Sequence, residues 1–588
     1  MIRPFLLRCA VGAALLALAP LLGCNADPES TADAAPADEP PVRQARTYDG
    51  PEATEIAPAL RARLDGETAL SGARLDEVQS LYSDRDYRPI WTGSSAALAH
   101  AEGLLRTVAN ADEHGLNPGQ YDLVPVRDAL RTAYQETAPG DSARAAALAE
   151  ADIRLTDLYY TVGRDLANGP FSPAEAGATW HVKDPDVDLG AALQRALGGG
   201  DVEATLARLA STHEGYRELQ QAIARYKEIA AAGGFPTVPE GDVIEEGERS
   251  GRVVALRQRL TADGTDVPGS PQDSVLDGRL VAALAQFQAR HGLAVDSVLG
   301  PNTVDALNVP VEDRVRRMRA NLVRWQWLPK DLGDRYIFVN LPEYRLHAYD
   351  GGEEVLTMGV IVGKGYDDRA TPVFSDSMTY AEFRPYWNIP PSIVREEIVP
   401  KALDDPGYIE ANDFEIIPTY GVAPDNTIPA TPANLRAAAA GEYRMRQEPG
   451  PENALGLVKY MFPNDFAIYL HDTPADHLFD ERERAFSHGC IRVEDPPALG
   501  AYVFEDRGWT PSDIERRMQE GPPVNEVDVP DPIPVYILYL TAFVDDDGTV
   551  NFRDDLYGYD EPIVEALARR DPEEPDVDVD ALLTLLPQ

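Results

Sequence analysis

The chain has 588 residues, and its 98 acidic side chains outnumber the 53 basic ones, giving a formal net charge of −45 at pH 7. This length exceeds what a single hydrophobic core organises, so about three or four domains are expected. The negative charge excludes nucleic acid as a partner, because phosphates are bound through Lys and Arg. We interpret the acidity as a solvated surface rather than as a specific function.

The first segment, residues 1–23, is typical of a secretory signal peptide. Its mostly apolar run over residues 10–22 is too short to cross a bilayer as a helix. The run ends in Leu21-Leu-Gly-Cys24, which resembles a bacterial lipobox, so we predict that Cys24 is lipidated and attaches the protein to a membrane. An ordinary signal peptide that happens to contain Cys24 is the alternative. Residues 24–54 predict a lipidated N-terminus and a disordered linker, because they lack apolar periodicity.

Residues 55–240 predict a helical domain. Apolar side chains recur at helical spacing, and Gly233-Gly-Phe-Pro236 ends the last segment. No group of side chains in this region suggests catalysis, so we assign it a structural role. The clearest stripe consists of Tyr216, Leu219, Ile223 and Tyr226.

Residues 248–309 predict a small unit of three helices, and residues 310–334 a connecting helix. Two apolar stripes mark the first helices, and Gly300-Pro opens the third. The unit contains no nucleophile paired with a base, so a binding or spacing role follows. The stripes consist of Val253, Leu256 and Leu260, then Leu280, Leu284 and Phe287.

The chain then changes to short alternating runs that predict strands, over residues 335–530. Residues 391–450 interrupt this domain as a long insertion that begins as a helix, and long insertions beside an active site are often lids. Residues 531–570 predict a closing hairpin, with strands over residues 535–544 and 549–552. Residues 571–588 predict an acidic, unstructured tail with a possible last helix.

Cys490 is the expected nucleophile. Cys9 leaves with the signal peptide and Cys24 is lipidated, so Cys490 is left unpaired in an oxidising envelope, where structural cysteines normally form pairs. A thiol nucleophile needs a base and amide donors for the oxyanion. His471 or His488 could be the base. The alternative is a small core residue without chemistry.

The motif around this cysteine carries a family resemblance. His471-Asp-Thr, followed by Ser487-His-Gly-Cys-Ile-Arg492, resembles the signature of the L,D-transpeptidase (YkuD-type) catalytic domain, whose members remodel peptidoglycan through a cysteine acyl-enzyme. The resemblance implies that Cys490 is the nucleophile, that His471 is the base and that the Asp472 carbonyl orients the imidazole. It also implies that Ser487 and His488 shape the site. Gly489 would help to form the oxyanion hole.

Further residues follow from the same resemblance. Arg492 is expected to hold a substrate carboxylate, and Tyr386 and Trp387 to contribute to substrate binding. In the large multidomain branch of the family, the helical region is a scaffold domain, residues 248–309 resemble a peptidoglycan-binding domain, and residues 391–450 are a capping subdomain. The expected fold class is therefore multidomain α+β, with a mainly β catalytic domain after the helical domains.

The expected reaction releases D-Ala from a tetrapeptide stem and forms a 3→3 cross-link between two peptide stems. The partners are peptidoglycan stems and a membrane reached by the lipid anchor, with no cofactor and no metal, and the location is the periplasm or cell envelope. The sequence leaves open the acceptor, the membrane and the oligomeric state. Transfer to water would make the protein an L,D-carboxypeptidase.

Two other functions compete with this one. A metal hydrolase would use His471, His488 and Cys490 as ligands, but their spacing does not match a zinc signature. A non-catalytic envelope lipoprotein would keep the anchor and the wall-binding domain with a decayed site. The intact pair of His471 and Cys490 argues against it.

Overall fold

The computed structural model describes residues 51–66, 70–138, 141–183, 187–366, 369–419, 426–571 and 577–587. The predicted signal peptide, Cys24 and nearly all of the predicted linker lie outside these ranges. Among the described residues, no helix is long and apolar enough to cross a membrane.

The scaffold region is helical, as predicted, and one buried carboxylate organises its core. Asp152 accepts hydrogen bonds from the amides of Ile90 (2.8 Å), Trp91 (2.9 Å) and Thr92 (2.8 Å) and from the hydroxyl of Tyr82 (2.6 Å), so both of its oxygens have partners within the fold. The helices are α1 (Pro51–Asp65), α2 (Gly72–Ser83), α3 (Ser95–Ala109), α4 (Val124–Arg131), α5 (Ser142–Asn168), α6 (Pro173–Ala176), α7 (Leu189–Leu197), α8 (Val202–Ala207) and α9 (Glu214–Ala231).

The predicted three-helix unit is present, with its own apolar core. Its helices are α10 (Gly251–Ala262), α11 (Gly278–Arg290) and α12 (Pro301–Leu307). Ser250 and Asp277 cap the first two helices by accepting hydrogen bonds from backbone amides. The predicted connecting helix is α13 (Val311–Gln326).

Helix α13 is buried rather than a plain linker. Asn321 donates to the hydroxyl of Thr541 (2.9 Å), and Arg324 forms an ion pair with Asp560 (2.6 Å). Thr541 donates to the same Asp560 carboxylate (2.7 Å). Because these groups are buried and satisfied, the helix is tied to the segment that follows the last long strand.

The catalytic region is built on a nine-stranded sheet with the order β10-β3-β11-β9-β8-β4-β12-β1-β2, and β2 also pairs with β3, so the sheet closes on itself. The pairs β1–β12, β9–β11 and β3–β10 are parallel, and the other pairs are antiparallel. Its strands are β1 (Arg335–Asn340), β2 (Arg345–Asp350), β3 (Glu353–Gly363), β4 (Phe374–Phe383), β8 (Val458–Met461), β9 (Leu470–His471), β10 (Ala485–Ser487), β11 (Ile491–Val493) and β12 (Asn525–Leu538). Helices α18 (Pro496–Val503) and α19 (Pro511–Gln519) follow β11.

The capping insertion, residues 391–450, has a core of its own and more than the predicted helices. A three-stranded sheet in the order β5-β7-β6 crosses it, and β5 begins before residue 391. The sequence did not reveal these strands, because each has only two to four residues. Its elements are β5 (Trp387–Asn388), α14 (Pro391–Ile393), a π-helical turn (Val394–Ile398), α15 (Val399–Asp404), α16 (Tyr408–Ala411), β6 (Phe414–Ile417), α17 (Pro432–Ala439) and β7 (Arg444–Gln447).

The predicted closing hairpin is wrong in its first strand. Residues 535–538 belong to the long strand β12, which lies between β4 and β1. The hairpin is shorter and consists of β13 (Ala542–Val544) and β14 (Val550–Phe552). Prolines at 530, 532 and 534 argue against a central strand, but here they fall around a register shift in the β12–β4 pairing.

The last segment contains the final helix that the sequence allowed, and an unpredicted helix precedes it. Helix α20 (Glu561–Arg570) packs on the catalytic core, and α21 (Val579–Leu583) belongs to the scaffold core. Val577, Val579 and Leu582 are buried there. The sequence pattern of five residues is too short to show which domain α21 joins.

Candidate active site

Four ionisable side chains form a row across adjacent strands. In the sheet register, Glu382 of β4 pairs with Lys459 of β8, Lys459 pairs with His471 of β9, and His471 pairs with Arg492 of β11. Residues directly opposite each other in neighbouring strands point to the same face of a sheet. We call this set the charged row.

His471 is buried, with 3% of its surface exposed, and its orientation is fixed by the backbone. Its Nδ1 lies 2.5 Å from the carbonyl oxygen of Asp472, so Nδ1 carries the proton and donates it to that carbonyl. Burial, together with the charge of Arg492, lowers the pKa of His471 to about 3. The imidazole is therefore neutral at pH 7, with the lone pair on Nε2 able to accept a proton.

The Asp472 side chain holds the backbone beside this carbonyl. It accepts hydrogen bonds from the amides of Leu457 (2.7 Å) and Thr473 (2.8 Å). Gly456 packs against the same carboxylate in a left-handed conformation (φ 61°), where a Cβ would collide with the Asp472 side chain. The position of the His471 partner is thus set by a tightly packed turn.

Cys490 lies in the turn between β10 and β11, and its register places it beside Tyr469. Its Sγ lies 3.7 Å from the carbonyl oxygen of Ala467. Burial raises the pKa of the thiol, although hydrogen bonds from Tyr469 and the charges of Arg492 and Lys459 favour the thiolate. The resting site therefore pairs a neutral thiol with a neutral imidazole.

The turn itself is held by a short network. The hydroxyl of Ser487 donates to the carbonyl of Cys490 (2.6 Å) and accepts from the amide of Gly489 (3.1 Å). Gly489 has φ 119°, a conformation that other residues rarely adopt. Because its amide is already bonded to Ser487 in this geometry, the oxyanion role of Gly489 stays a prediction.

A second network, not anticipated from the sequence, fixes the other side of the turn. Thr371 donates its hydroxyl to the carbonyl of Gly489 (2.8 Å) and accepts from the amide of Gly363 (2.9 Å). Tyr557, from the segment after the hairpin, donates to the carbonyl of Gly363 (2.7 Å). The segment after β12 therefore supports the cysteine turn directly.

Comparison with known families shows three matches in chain order. Residues 76–223 match the family described as "Scaffold domain", residues 249–307 match "Putative peptidoglycan binding domain", and residues 334–511 match the YkuD family, "L,D-transpeptidase catalytic domain". The chain carries an L,D-transpeptidase catalytic domain. The fold class predicted from the sequence is confirmed.

Two relatives match parts of this chain. A Haemophilus influenzae protein named "Putative L,D-transpeptidase" is 34% identical over 230 residues, which cover 39% of this chain and 45% of the relative. The match thus spans less than half of that relative. "N-acetylmuramoyl-L-alanine amidase CwlL" of Bacillus licheniformis is 34% identical over 67 residues, or 11% of this chain and 19% of the amidase.

Solved structures give a weaker likeness. The L,D-transpeptidase (Yku) from Stackebrandtia nassauensis has 14% identity and a TM-score of 0.20, over 52% of this chain and 96% of that chain. The L,D-transpeptidase (residues 123–326) from Xylanimonas cellulosilytica has 14% identity and a TM-score of 0.15, over 51% of this chain and 99% of that chain. TM-scores this low support no argument about the fold.

In the L,D-transpeptidase domain, the residues predicted from the motif fall into two groups. His471, Asp472, Cys490 and Arg492 lie together around the charged row. His488 instead faces the capping insertion, where its Nε2 lies 2.8 Å from Glu397. This contact makes His488 a link to the insertion rather than a second base beside the thiol.

Tyr386 and Trp387 lie at the root of the capping insertion. The guanidinium of Arg446 lies 4.1 Å from the Tyr386 ring centroid, and Trp387 packs against Phe414 at 6.5 Å between ring centroids. These contacts join both residues to the insertion's own sheet. Their part in substrate binding stays a prediction.

The sequence missed three residues of the candidate site. The Tyr469 ring lies 5.7 Å from the His471 ring, and Lys459 forms a mostly buried ion pair with Glu382 (2.9 Å). Tyr469 is two residues before His471 in an extended run, and this spacing could have placed it on the same face. Lys459 and Glu382 gave no such signal, because only strand pairing brings them to His471.

Arg492 has spare hydrogen-bonding capacity. Its Nε is buried, and no hydrogen-bond partner for it is found within the described part of the chain. Burial lowers the pKa of Arg492, while the neighbouring Cys490 favours its charge. Across the same described residues, no three His, Cys, Asp or Glu side chains gather in a way that could hold a metal ion.

Proposed function

We propose that this protein is a peptidoglycan L,D-transpeptidase that forms 3→3 cross-links through a Cys490 acyl-enzyme. The observation that carries the proposal is the neutral His471 imidazole. Its Nδ1 is bonded to the Asp472 carbonyl, and its strand pairs with the strand that follows the Cys490 turn. A base held in this tautomer presents its other nitrogen for proton transfer.

In the first half-reaction, the Cys490 sulfur attacks the carbonyl carbon between diaminopimelate and D-Ala of a tetrapeptide stem. A carbon–sulfur bond forms and the carbon–nitrogen bond breaks. The thiol proton passes through His471 to the departing amine of D-Ala. The positive charges of Arg492 and Lys459 favour the thiolate that the attack requires.

In the second half-reaction, an amine of another stem attacks the thioester. A new amide forms, the sulfur leaves, and the amine proton returns to Cys490 through His471. A thioester conserves the energy of the broken amide, so no ATP is needed. The capping insertion provides a physical means to exclude water while the amine arrives, which favours transfer over hydrolysis.

The charge of the site fits an anionic stem. Arg492 contributes a buried guanidinium with an unused Nε, and we assign it a stem carboxylate. Lys364 and Arg369 lie near His488, since their charges lower its pKa after burial does so. These cations support binding of peptide stems, which carry several carboxylates.

The proposed location is the cell envelope, where peptidoglycan is found. Lipidation of Cys24 would anchor the protein to a membrane, and the three-helix unit would retain it on the wall. Sacculus pull-down with and without residues 248–309 tests the second point. Equal retention would reduce this unit to a spacer.

The reaction is tested by incubating the mature protein with diaminopimelate tetrapeptide muropeptides and analysing the products by mass spectrometry. We expect release of D-Ala coupled to 3→3 dimers, with pentapeptide donors poor. If only tripeptide appears at every acceptor concentration, the protein is an L,D-carboxypeptidase. If neither product forms, the proposal fails.

A further inference from the structure

A large cleft lies where four parts of the chain meet. It has a volume of about 1730 Å³ and is lined by helix α9, the three-helix unit, the β1–β2–β3 part of the sheet and the hairpin β13–β14. We call it the junction cleft. No residue of the charged row lines it, and neither does Cys490.

The floor of the junction cleft combines aromatic and polar side chains. Three pairs across β1 and β2 line it: Tyr336 with Tyr349, Phe338 with His347, and Asn340 with Arg345. The rings of Tyr336 and Tyr349 stack with centroids 4.7 Å apart and planes 13° apart. Aromatic faces beside the guanidinium of Arg345 suit ligands that have both apolar C–H faces and hydroxyl groups, as sugars do.

Two facing walls of the cleft are acidic, while Arg225, Lys330 and Arg553 line other parts of it. Glu214 and Glu218 of α9 face Asp545 and Asp546 of the hairpin. Burial raises the pKa of Glu218, and the charges of Glu214, Asp546 and Asp545 raise it further. Carboxylates that already repel one another disfavour a ligand with several negative charges, such as a peptide stem, but they accept hydrogen bonds from neutral hydroxyls.

The cleft continues onto the three-helix unit, which is fixed against the hairpin. Arg290 lines the cleft and forms an ion pair with Asp263 (2.6 Å). Arg553 donates to the carbonyl of Arg290 (3.0 Å), and His291 stacks on Phe552 with ring centroids 5.6 Å apart. Because these contacts hold the two walls together, the cleft is formed before any ligand arrives, which lowers the entropic cost of binding.

We propose that the junction cleft binds the glycan backbone of peptidoglycan, a neutral chain of N-acetylated sugars. This inference rests on the proposed function in assuming that the protein acts on peptidoglycan. The volume exceeds that of pockets for single small ligands, about 300–1,000 Å³, so several sugar rings fit. When the glycan is bound here, its anionic peptide stems remain free to reach the positively charged surroundings of Cys490.

The test uses the full mature protein and oligomers of N-acetylglucosamine, which are neutral chains of N-acetylated sugars. Affinity is measured by calorimetry. Tyr349→Ala should weaken binding at least about tenfold, because it removes one face of the aromatic stack. Arg345→Ala, at an exposed position where misfolding is not expected, should weaken it roughly fivefold. The matched control is Tyr380→Ala, on β4 and outside the cleft, which should bind like the wild type.

The dependence of affinity on ionic strength shows whether the cleft recognises a neutral or a charged ligand. Binding of a neutral glycan should change little between low and high salt. Wild-type affinity in Tyr349→Ala and Arg345→Ala would overturn the proposal, and so would binding that disappears at high salt. Acylation of wild-type Cys490 by a carbapenem is measured in parallel. Absence of acylation would count against the proposed function. Normal acylation together with wild-type glycan affinity in both variants would overturn only the proposal for the junction cleft.

Discussion

The charged row and the junction cleft lie on different parts of one closed sheet. Each contains a histidine, and the fold shifts the pKa values of these two histidines in opposite directions. Burial and Arg492 lower the pKa of His471 to about 3. Burial also acts against the charge of His347, but hydrogen bonds to Glu343 and Glu354 outweigh it and raise the pKa to about 9.

This difference shows that the net negative charge of the chain does not determine the local charge at each site. At the charged row, the spare charge is positive and the base is neutral. At the cleft, carboxylates dominate and the histidine is an imidazolium. The same sheet thus contains a neutral imidazole at one place and an imidazolium at the other, according to which neighbours each strand brings.

The largest expected effect comes from removing the Cys490 thiol, which lies next to the charged row. Cys490→Ala should reduce carbapenem adducts from full occupancy to none, because Cys490 is the free thiol of the described residues. Intact-protein mass spectrometry measures the adduct, and thermal melting checks that the variant is folded. An adduct of unchanged yield on the variant would contradict the assignment.

The second prediction concerns stability in acid. The pKa of His471 is lower in the folded state than the unfolded value of about 6.5, so the unfolded chain takes up a proton first as the pH falls. Stability present above about pH 6.5 is therefore lost toward pH 3, by about 5 kcal/mol over the whole window. His471→Gln should flatten the decline in free energy of unfolding between pH 7 and 4.

Chemical denaturation at each pH measures this effect. His477→Gln, at an exposed histidine six residues further along the chain, is the matched control and should keep the wild-type slope. Equal slopes for His471→Gln and the wild type would show that His471 titrates normally. The site would then lack the buried, neutral imidazole that the proposal needs.

His347 should show the opposite dependence. Its folded pKa of about 9 lies above the unfolded value, so its contribution is fully present below about pH 6.5 and is lost as the pH rises through 9. The loss is about 3 kcal/mol. His347→Gln should remove this alkaline decline, measured by denaturation between pH 6.5 and 9. A decline that persists would place the titrating group elsewhere.

Much of the site could be predicted because its signal is contiguous. The run from Ser487 to Arg492 and the nearby His471 predict a nucleophile and a base without any knowledge of the sheet. Glu382 and Lys459 could not be found this way, since pairing between distant strands creates the charged row. The junction cleft could not be predicted from the sequence either, because its walls come from segments that the sequence assigns to separate domains.

A smaller effect is expected at Tyr469. Tyr469→Phe removes one hydrogen bond to the sulfur of Cys490, which is worth about 1.5 kcal/mol when the sulfur is charged. The acylation rate should fall about tenfold. Stopped-flow measurement with a carbapenem tests this, with Tyr366→Phe as a control at an exposed tyrosine. An unchanged rate would mean that the hydroxyl does not act on the thiolate.

The smallest effect is expected at the contact between the catalytic turn and the capping insertion. Glu397 pairs with His488 and with Arg369, and these side chains are partly exposed, so the contact is worth about 0.5 kcal/mol. Glu397→Gln should loosen the insertion and raise hydrolysis relative to transfer about twofold. Product ratios measured by mass spectrometry test this. Glu410→Gln, in the same insertion, should leave the ratio unchanged.

Helix α21 has a consequence for the order in which the protein folds. A chain is synthesised from its N-terminus, and N-terminal domains usually fold first. Here Val579 and Leu582, near the C-terminal end, fill part of the core built by helices α1–α8. The core of these helices is therefore complete only after residues that follow the catalytic region have been synthesised.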